Sequence, residues 1–311
     1  MLEGGAADLT MTDAEFRMFR ELIKSRCGLH FDEDSRFIVE KRLARRVQEC
    51  GVGSFAAYHL LLRDGSAGDE EFSNVVDTLT TNETYFFREL GQMRALLDEI
   101  IPDLVLRRRA AGIESPIGIW SAGCSSGEEP YTIVILAKEA GLDVGRDIRV
   151  YASDISKSML HRSRRGIYRE ASFRETSAYI RDKYFDTKDG QTRISDDVKD
   201  HVDFIHLNLL DRDKIALLGS MDVILCRNVI IYFDLETKQR VIDTFHDKLK
   251  PGGYLLLGHS ESLINVSSAF ELKHLTRDLV YRRPVPGEER EDPWHTIAGG
   301  TAASLAPGKG R

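Results

Sequence analysis

The spacing of apolar residues changes character along the chain. From about Thr12 to Thr80 it is helical. Thr12 and Glu15 form a T-x-x-E capping box, Phe16, Phe19, Leu22 and Ile23 follow at helical spacing, and Gly28 supplies a stop. A second helix is predicted from near Asp34 to Cys50, ending at Gly51. Ser54 caps a third, with Phe55, Tyr58, Leu61 and Leu62 inward, and a fourth covers about Asp69 to Leu79. No strand pattern interrupts this region, so residues 12–80 are expected as a small all-α domain. The stretch TLTTNETYFFRE (Thr78–Glu89) breaks the pattern, and a helix to about Ala110 completes a connecting segment over 81–115.

From Pro116 the chain alternates strands and helices. Strand candidates are Ile117–Trp120, Ile148–Ala152, Val202–His206, Asp222–Cys226 and Tyr254–Gly258, with helices such as Tyr131–Ala140 and Leu235–Leu249 between them. Such βαβ alternation implies a parallel sheet covered by helices. FELKHLTRDLVYRR (Phe270–Arg283) reads as two strands around a short turn, which adds an antiparallel hairpin at the end of a unit spanning 116–284. The segment from about 166 to 200 is too long for a crossover loop and is expected as an inserted subdomain with a turn near Lys188-Asp189-Gly190. Residues 1–11 and the Gly-, Ala- and Pro-rich tail 285–311 are expected to be disordered.

Composition narrows the function. A chain of 311 residues buries a large core, and its net charge of −7 argues against a general nucleic-acid binder. The four cysteines form no CxxC pair and the nine histidines show no ligand spacing, so neither disulfides nor a metal are expected. The N-terminus lacks signal-peptide features and no apolar run approaches a membrane span, which points to the cytoplasm.

The chemistry begins at SAGCSSGEEP (Ser121–Pro130), a small-residue turn between the first predicted strand and a helix. In a parallel sheet, ligands bind at the carboxyl ends of the strands, where the strand order reverses. A helix N-terminus favours anions, but Glu128 and Glu129 would repel a pyrophosphate, and neither a P-loop lysine nor a regular GxGxxG is present. A phosphate-free cation such as S-adenosylmethionine, with its sulfonium and ammonium, suits the turn better. The competing reading is that the two acids merely stabilise the first helical turn. IRVYASD ends its strand in Asp154, placed to accept hydrogen bonds from ribose hydroxyls, unless it serves only as a helix cap. FIHLNLLD ends the third strand with Asn208, whose amide could read an adenine edge, and DVILCRNVIIYF ends the fourth with Cys226, Arg227, Asn228 and then Tyr232.

These motifs together resemble one family from about Thr12 to Arg283, the chemotaxis receptor glutamate methyltransferases (CheR type). TTNETYFFRE, WSAGCSSGEEPYTI, ASDIS, RGIY, LNLLD, CRNVIIYF, LKPGGYLLLGHSES and LVYRR all look like its signatures, in order. The resemblance implies a class I S-adenosylmethionine-dependent methyltransferase fold of α/β type. It is Rossmann-like, with a mainly parallel sheet and a C-terminal antiparallel hairpin, a small N-terminal all-α domain and an inserted subdomain. It implies methyl transfer from S-adenosylmethionine to receptor glutamates, giving glutamyl methyl esters and S-adenosylhomocysteine. Implied cofactor positions are Asn82, Thr84, Arg88, Gly123, Glu129, Asp154, Asn208, Leu209, Arg227 and Asn228; Arg88 and Tyr232 match residues beside the transferable methyl. The implied partner is the cytoplasmic domain of methyl-accepting chemoreceptors, and a monomer without membrane insertion is expected.

A glutamate carboxylate, with an ordinary pKa of about 4.3, is already ionised at neutral pH, so no general base is needed. Arg88 can hold it by charge-assisted hydrogen bonds and Tyr232 can orient it through its hydroxyl. Lys41, Arg42, Arg45 and Arg46 are helical neighbours that could dock an acidic receptor helix, against the plainer reading of a solvated face. The compact Asp189-Gly190 turn predicts a member that does not depend on a tethering receptor peptide. The rival readings are an NAD-dependent oxidoreductase using the same cleft and a non-catalytic cofactor sensor of the same fold.

Overall fold

The computed structural model describes residues 9–188 and 190–288. Most of the two termini expected to be disordered, together with Asp189 of the expected turn, lies outside the described residues. The inner part of the N-terminal segment is packed, contrary to expectation, whereas residues 286–288 at the other end are exposed. Met11 is 1% exposed; its N–H donates to Glu40 Oε2 at 2.7 Å, and Arg36 Nη1 donates to its carbonyl at 2.6 Å. At the other end Arg282 Nη2 donates to Glu288 Oε2 across 2.8 Å. Met11 thus holds the chain ahead of the first helix, and at the C-terminal end the buried Arg282 reaches a half-exposed Glu288.

Four helices open the chain: Asp13–Cys27 (α1), Arg36–Glu49 (α2), Phe55–Leu62 (α3) and Gly65–Leu79 (α4). Both halves of the Thr12–Glu15 capping box are formed, and Gly28 closes α1 at φ +79°. The helix α4 starts before the predicted Asp69 because tertiary packing recruits GSAG. A Cβ on Gly68 would lie 2.7 Å from the Leu61 carbonyl oxygen, so a small residue lets α4 meet the end of α3. The connecting segment leads into one rod, Leu90–Ala95 (α5), a π-helical turn Leu96–Ile100 and Ile101–Ala110 (α6).

The sheet-forming unit follows as Ile117–Ala122 (β1), Glu128–Glu139 (α7), Ile148–Asp154 (β2) and Lys157–Arg165 (α8). Then come the inserted elements Ile167–Tyr168 (β3), Ala178–Tyr184 (α9), Phe185–Lys188 (β4), Gln191–Ile194 (β5) and Asp196–Lys199 (α10). The chain returns through Val202–His206 (β6), Arg212–Ala216 (α11), Met221–Cys226 (β7), Leu235–Lys248 (α12), Leu249–Leu257 (β8), Glu271–His274 (β9) and Leu279–Arg282 (β10). The main sheet runs β6-β2-β1-β7-β8-β10-β9. Its first five members pair in parallel, while β10 is antiparallel to both neighbours, with Tyr281 opposite Leu255 and Leu272. The chain leaves β1 toward β2 on one side and later returns to β7 on the other. That reversal opens a crevice at the carboxyl ends of the strands.

One sheet face shares a continuous apolar cluster with the helical domain, from Phe19, Leu43 and Phe55 to Trp120, Ile224 and Phe245. The helical domain is therefore packed onto the sheet unit. The inserted segment forms its own small sheet, β3-β5-β4, with Lys188 opposite Gln191. It is anchored by Phe86, whose ring centroid lies 4.8–5.4 Å from those of Tyr168, Phe173 and Phe185.

Candidate active site

All the residues expected at the cofactor, and both expected catalytic residues, line one cleft of about 360 Å³ at the strand ends. They are Asn82, Thr84, Arg88, Gly123, Glu129, Asp154, Asn208, Leu209, Arg227, Asn228 and Tyr232. The volume is within the range of small-molecule sites.

The floor is the turn after β1. Gly123 and Gly127 adopt φ of +86° and +94°, and a Cβ on Gly123 would meet Val229 Cγ2 at 2.4 Å. Backbone N–H groups of Gly123 and Cys124 donate to the Ser153 carbonyl at 2.8 and 2.9 Å, which ties the turn to β2. The two glutamates that open α7 have different surroundings. Glu129 faces the cleft, accepting from Ser121 Oγ at 2.7 Å and from Arg227 Nη1 at 3.0 Å. Glu128 turns away; it is 1% exposed and accepts from Ser126 Oγ at 2.8 Å and from Ser172 Oγ of the inserted segment at 3.0 Å. Burial pushes the Glu128 carboxyl above its ordinary range, and these hydroxyls oppose the shift. Of the two, only Glu129 lines the cleft.

Asp154 lies at the end of β2. Its oxygens accept from the N–H of Ser125 at 2.7 Å and of Ser156 at 2.8 Å. Ser156, not Asp154, caps α8. Burial raises the Asp154 pKa to about 6, with the Ser156 and Ser125 amides pulling the other way. Each carboxylate oxygen keeps a second lone pair for a ligand hydroxyl. The Ser125 hydroxyl, on a residue 8% exposed, has no partner and belongs to the cleft lining. Beyond β6, the Asn208 amide donates to the Arg26 carbonyl at 2.6 Å and accepts from the Leu210 N–H at 3.0 Å, which leaves it one N–H and one lone pair.

Arg227 occupies the centre with its side chain 2% exposed. It bridges Glu129 and Glu89 at 3.0 and 2.9 Å and donates to the Arg88 carbonyl at 2.7 Å. Arg88 is flanked by two left-handed non-glycine residues, Phe87 at φ +62° and Glu89 at φ +53°. Such conformations cost about 1–3 kcal/mol each and persist only where the surroundings over-determine them. Here the burial of Phe86 and Phe87, the Phe87 N–H to Thr132 Oγ1 bond at 3.1 Å and the Arg227 contacts do so. The Arg88 guanidinium itself is only lightly tethered, donating to the Glu83 carbonyl at 2.9 Å. Tyr232 ends a short 3-10 turn, Ile230–Tyr232, after β7.

The helical domain forms the facing wall through His30, Phe31, Ile38 and Arg42, a contribution that periodicity did not suggest. The His30 N–H donates to the Tyr232 carbonyl at 2.9 Å, and Leu29 pairs with Phe233 as an isolated antiparallel bridge. Glu261, within the GHSES motif, was likewise not singled out; it accepts hydrogen bonds from the Tyr232 loop. An acid just past the end of β8 is in the same topological place as the other strand-end residues, which is the signal that was there to find.

The expected basic patch divides. Lys41 and Arg45 are exposed. Arg42 lines the cleft and donates to the Leu79 carbonyl at 2.7 Å. Arg46 is inside the helical domain, paired with Glu71 at 2.6 Å while Tyr58 and Asn74 also donate to that carboxylate. Residues one position apart on a helix point about 100° apart, so Arg42 and Arg46 turn toward α4 while Lys41 and Arg45 turn outward.

Cys124 and Cys226 are buried, which pushes both thiols well up, so neither supplies a thiolate. Among the described residues no cluster of three His, Cys, Asp or Glu could hold a metal, and no helix is long and apolar enough to cross a membrane.

A sheet of this order with one reversed strand, and a cleft at the switch point with an acid at the end of β2, define a class I S-adenosylmethionine-dependent methyltransferase fold. The chain belongs to the CheR methyltransferase family: the family's all-alpha domain matches residues 14–80 and its SAM binding domain residues 82–279. It is 38% identical to chemotaxis protein methyltransferase 2 of Vibrio cholerae over 91% of this chain and 98% of that protein. It is 36% identical to the chemotaxis protein methyltransferase of Escherichia coli strain K12, covering 86% of this chain and 91% of that one. Chemotaxis protein methyltransferase 1 of Pseudomonas aeruginosa is 33% identical, over 88% and 99%.

Proposed function

We propose that this chain methylates glutamate side chains on the cytoplasmic domains of chemoreceptors, using S-adenosylmethionine, as part of sensory adaptation. The observation that carries this reading is the meeting of Arg88 and Tyr232 with Glu129 and Asp154 in one cleft. The donor set fits the cofactor. Asp154 has spare lone pairs for ribose hydroxyls, Glu129 supplies a carboxylate suited to an ammonium, and the unpartnered Ser125 hydroxyl awaits a polar ligand atom. Asn208, held in place by its two bonds to the chain, keeps one N–H and one lone pair for an adenine edge.

When bound, the cofactor supplies an electrophilic methyl group on sulfur and leaves as S-adenosylhomocysteine. The incoming carboxylate needs no deprotonation, and Arg88 holds it by charge-assisted bonds at the cleft mouth. The Tyr232 hydroxyl orients the reacting oxygen, and most of the rate gain comes from positioning. Charge is neutralised in the transfer, so the apolar side chains of Phe31, Ile38 and Phe233 that line the cleft favour the reaction. Lys41 and Arg45 meet acidic positions of the receptor, and the enzyme works as a single chain in the cytoplasm without a tethering peptide. The oxidoreductase alternative has no support in a cleft without a phosphate cradle.

The decisive experiment incubates the enzyme with methyl-labelled S-adenosylmethionine and membranes carrying chemoreceptors. Base-labile label on receptor glutamates is expected. Base-stable label, or none on the receptor, would refute the assignment.

A further inference from the structure

Beyond the residues that touch the ligands, the structure assigns Glu261 as the positioning residue of the Tyr232 loop, an inference that rests on the catalytic reading of Tyr232. The side chain lies just past β8 and reaches the loop after β7. Its two oxygens divide four backbone donors evenly. Oε2 accepts from the N–H of Asn228 at 2.7 Å and of Gly258 at 2.8 Å. Oε1 accepts from Val229 at 2.9 Å and from Ile231 at 3.2 Å. No cation pairs with this carboxylate among the ion pairs of the described residues; its compensation is the ring of amides.

The arrangement solves a local problem. Between Cys226 and Tyr232 the chain leaves the sheet, and Asn228 adopts a left-handed φ of +60° that an asparagine holds at a cost. Amides released by that turn would otherwise point into a half-buried space without partners. A single carboxylate satisfies three of them and draws the loop against Gly258. A Cβ on Gly258 would lie 2.9 Å from Asn228 Nδ2 and 3.0 Å from Glu261 Oε2, so the approach is already at its limit. Glu261 is itself held. Its N–H donates to the Gly258 carbonyl at 2.8 Å, and the nearby Leu263 N–H donates to the Tyr281 hydroxyl on β10 at 3.0 Å. The rigid antiparallel end of the sheet thus fixes Glu261, Glu261 fixes the loop, and the loop fixes where Tyr232 stands.

An isosteric amide is the informative change. In Glu261→Gln the side chain keeps one oxygen, so two of the four amides would face an NH₂ group that can only donate. The test is a double-mutant cycle on turnover with Glu261→Gln, Tyr232→Phe and the pair, using labelled methyl transfer to receptor membranes. Glu261→Gln should lower kcat by about tenfold or more, the scale of a small misplacement of a catalytic group, with little change in receptor KM. In the Tyr232→Phe background the same change should have almost no further effect on kcat, because the group it positions is already gone. Glu261→Asp, which keeps the charge but withdraws it by one methylene, carries the same expectation should the glutamine form not fold. If Tyr232→Phe is slow but both Glu261 variants turn over at the parent rate, or if the two losses multiply independently, the positioning role is overturned. If Tyr232→Phe itself has the parent kcat, the catalytic reading of Tyr232 falls, and this inference with it.

Discussion

The backbone N–H of His30 donates to the carbonyl of Tyr232 across 2.9 Å, so the helical domain holds the loop that carries the proposed orienting hydroxyl. The contact is one of a set. Lys24 pairs with Asp234 at 2.6 Å, Leu29 bridges Phe233, and Asn208 donates to the Arg26 carbonyl. The end of α1 and the segment after it are stitched to the loops after β6 and β7. The domain whose basic residues Lys41, Arg42, Arg45 and Arg46 were expected to dock a partner is also a wall of the cleft.

That stitching predicts the effect of Gly28→Ala. Gly28 sits at φ +79°, and a Cβ there would meet Thr237 Cγ2 at 2.7 Å. The left-handed conformation alone costs an alanine about 1–2 kcal/mol. We expect lower stability in denaturant unfolding, and a kcat loss larger than any loss of S-adenosylhomocysteine affinity, because the strain falls beside Phe233 and the Tyr232 loop. A destabilised enzyme with parent kcat would show that the linker does not set the loop.

Charge reversal on α2 should separate its basic residues into two kinds. Burial pushes the Glu71 carboxyl up, but hydrogen bonds from Arg46, Tyr58 and Asn74 together bring it down to about 2. Removing Arg46 leaves that carboxylate with Tyr58 and Asn74 as its donors, so Arg46→Ala should cost about 1–3 kcal/mol of stability, the scale of a lost hydrogen bond to a charged group. Lys41→Glu and Arg45→Glu should leave the unfolding midpoint nearly unchanged and raise the receptor KM, more so at low salt. Equal receptor KM values in parent and reversed enzymes would exclude these two from docking.

Cofactor affinity should depend on pH through Asp154. Burial raises its pKa from 3.8 to about 6. Because the folded value lies above the unfolded one, its contribution to stability is fully present below 3.8 and lost as pH rises through about 6. Binding runs the other way, since ligand hydroxyls donate to the ionised carboxylate. S-adenosylhomocysteine affinity, followed by calorimetry, should fall as pH drops through about 6, and Asp154→Asn should bind weakly at every pH. A parent profile with no inflection there would remove Asp154 from the ligand contacts.

Arg88→Ala and Tyr232→Phe should both lower turnover, and they should differ in what else they change. Arg88 contacts the incoming carboxylate in the proposed arrangement, so its loss also raises receptor KM. The Tyr232 hydroxyl acts on orientation, so its loss shows mainly in kcat. Single-turnover methyl transfer at saturating receptor measures the distinction, and two variants with parent rates would require another pair of residues.

The helices, the alternating strands, the reversed terminal hairpin and the strand-end residues from Gly123 to Asn228 were legible in the linear pattern. Capping boxes, glycine stops and period-two alternation act over a few residues, and parallel strands bring their ends to one edge whatever the loops contain. Tertiary structure decided which of two adjacent glutamates faces the cleft. It also decided that Arg46 pairs with Glu71 inside the helical domain's surface, that Asn208 donates to the Arg26 carbonyl, and that His30 and Glu261 both serve the Tyr232 loop. Helical spacing states which side chains share a face but not which neighbour covers it. The hydrogen bonds that set this loop join backbone amides, which carry no residue signature, to groups about 30 to 200 positions away in the chain.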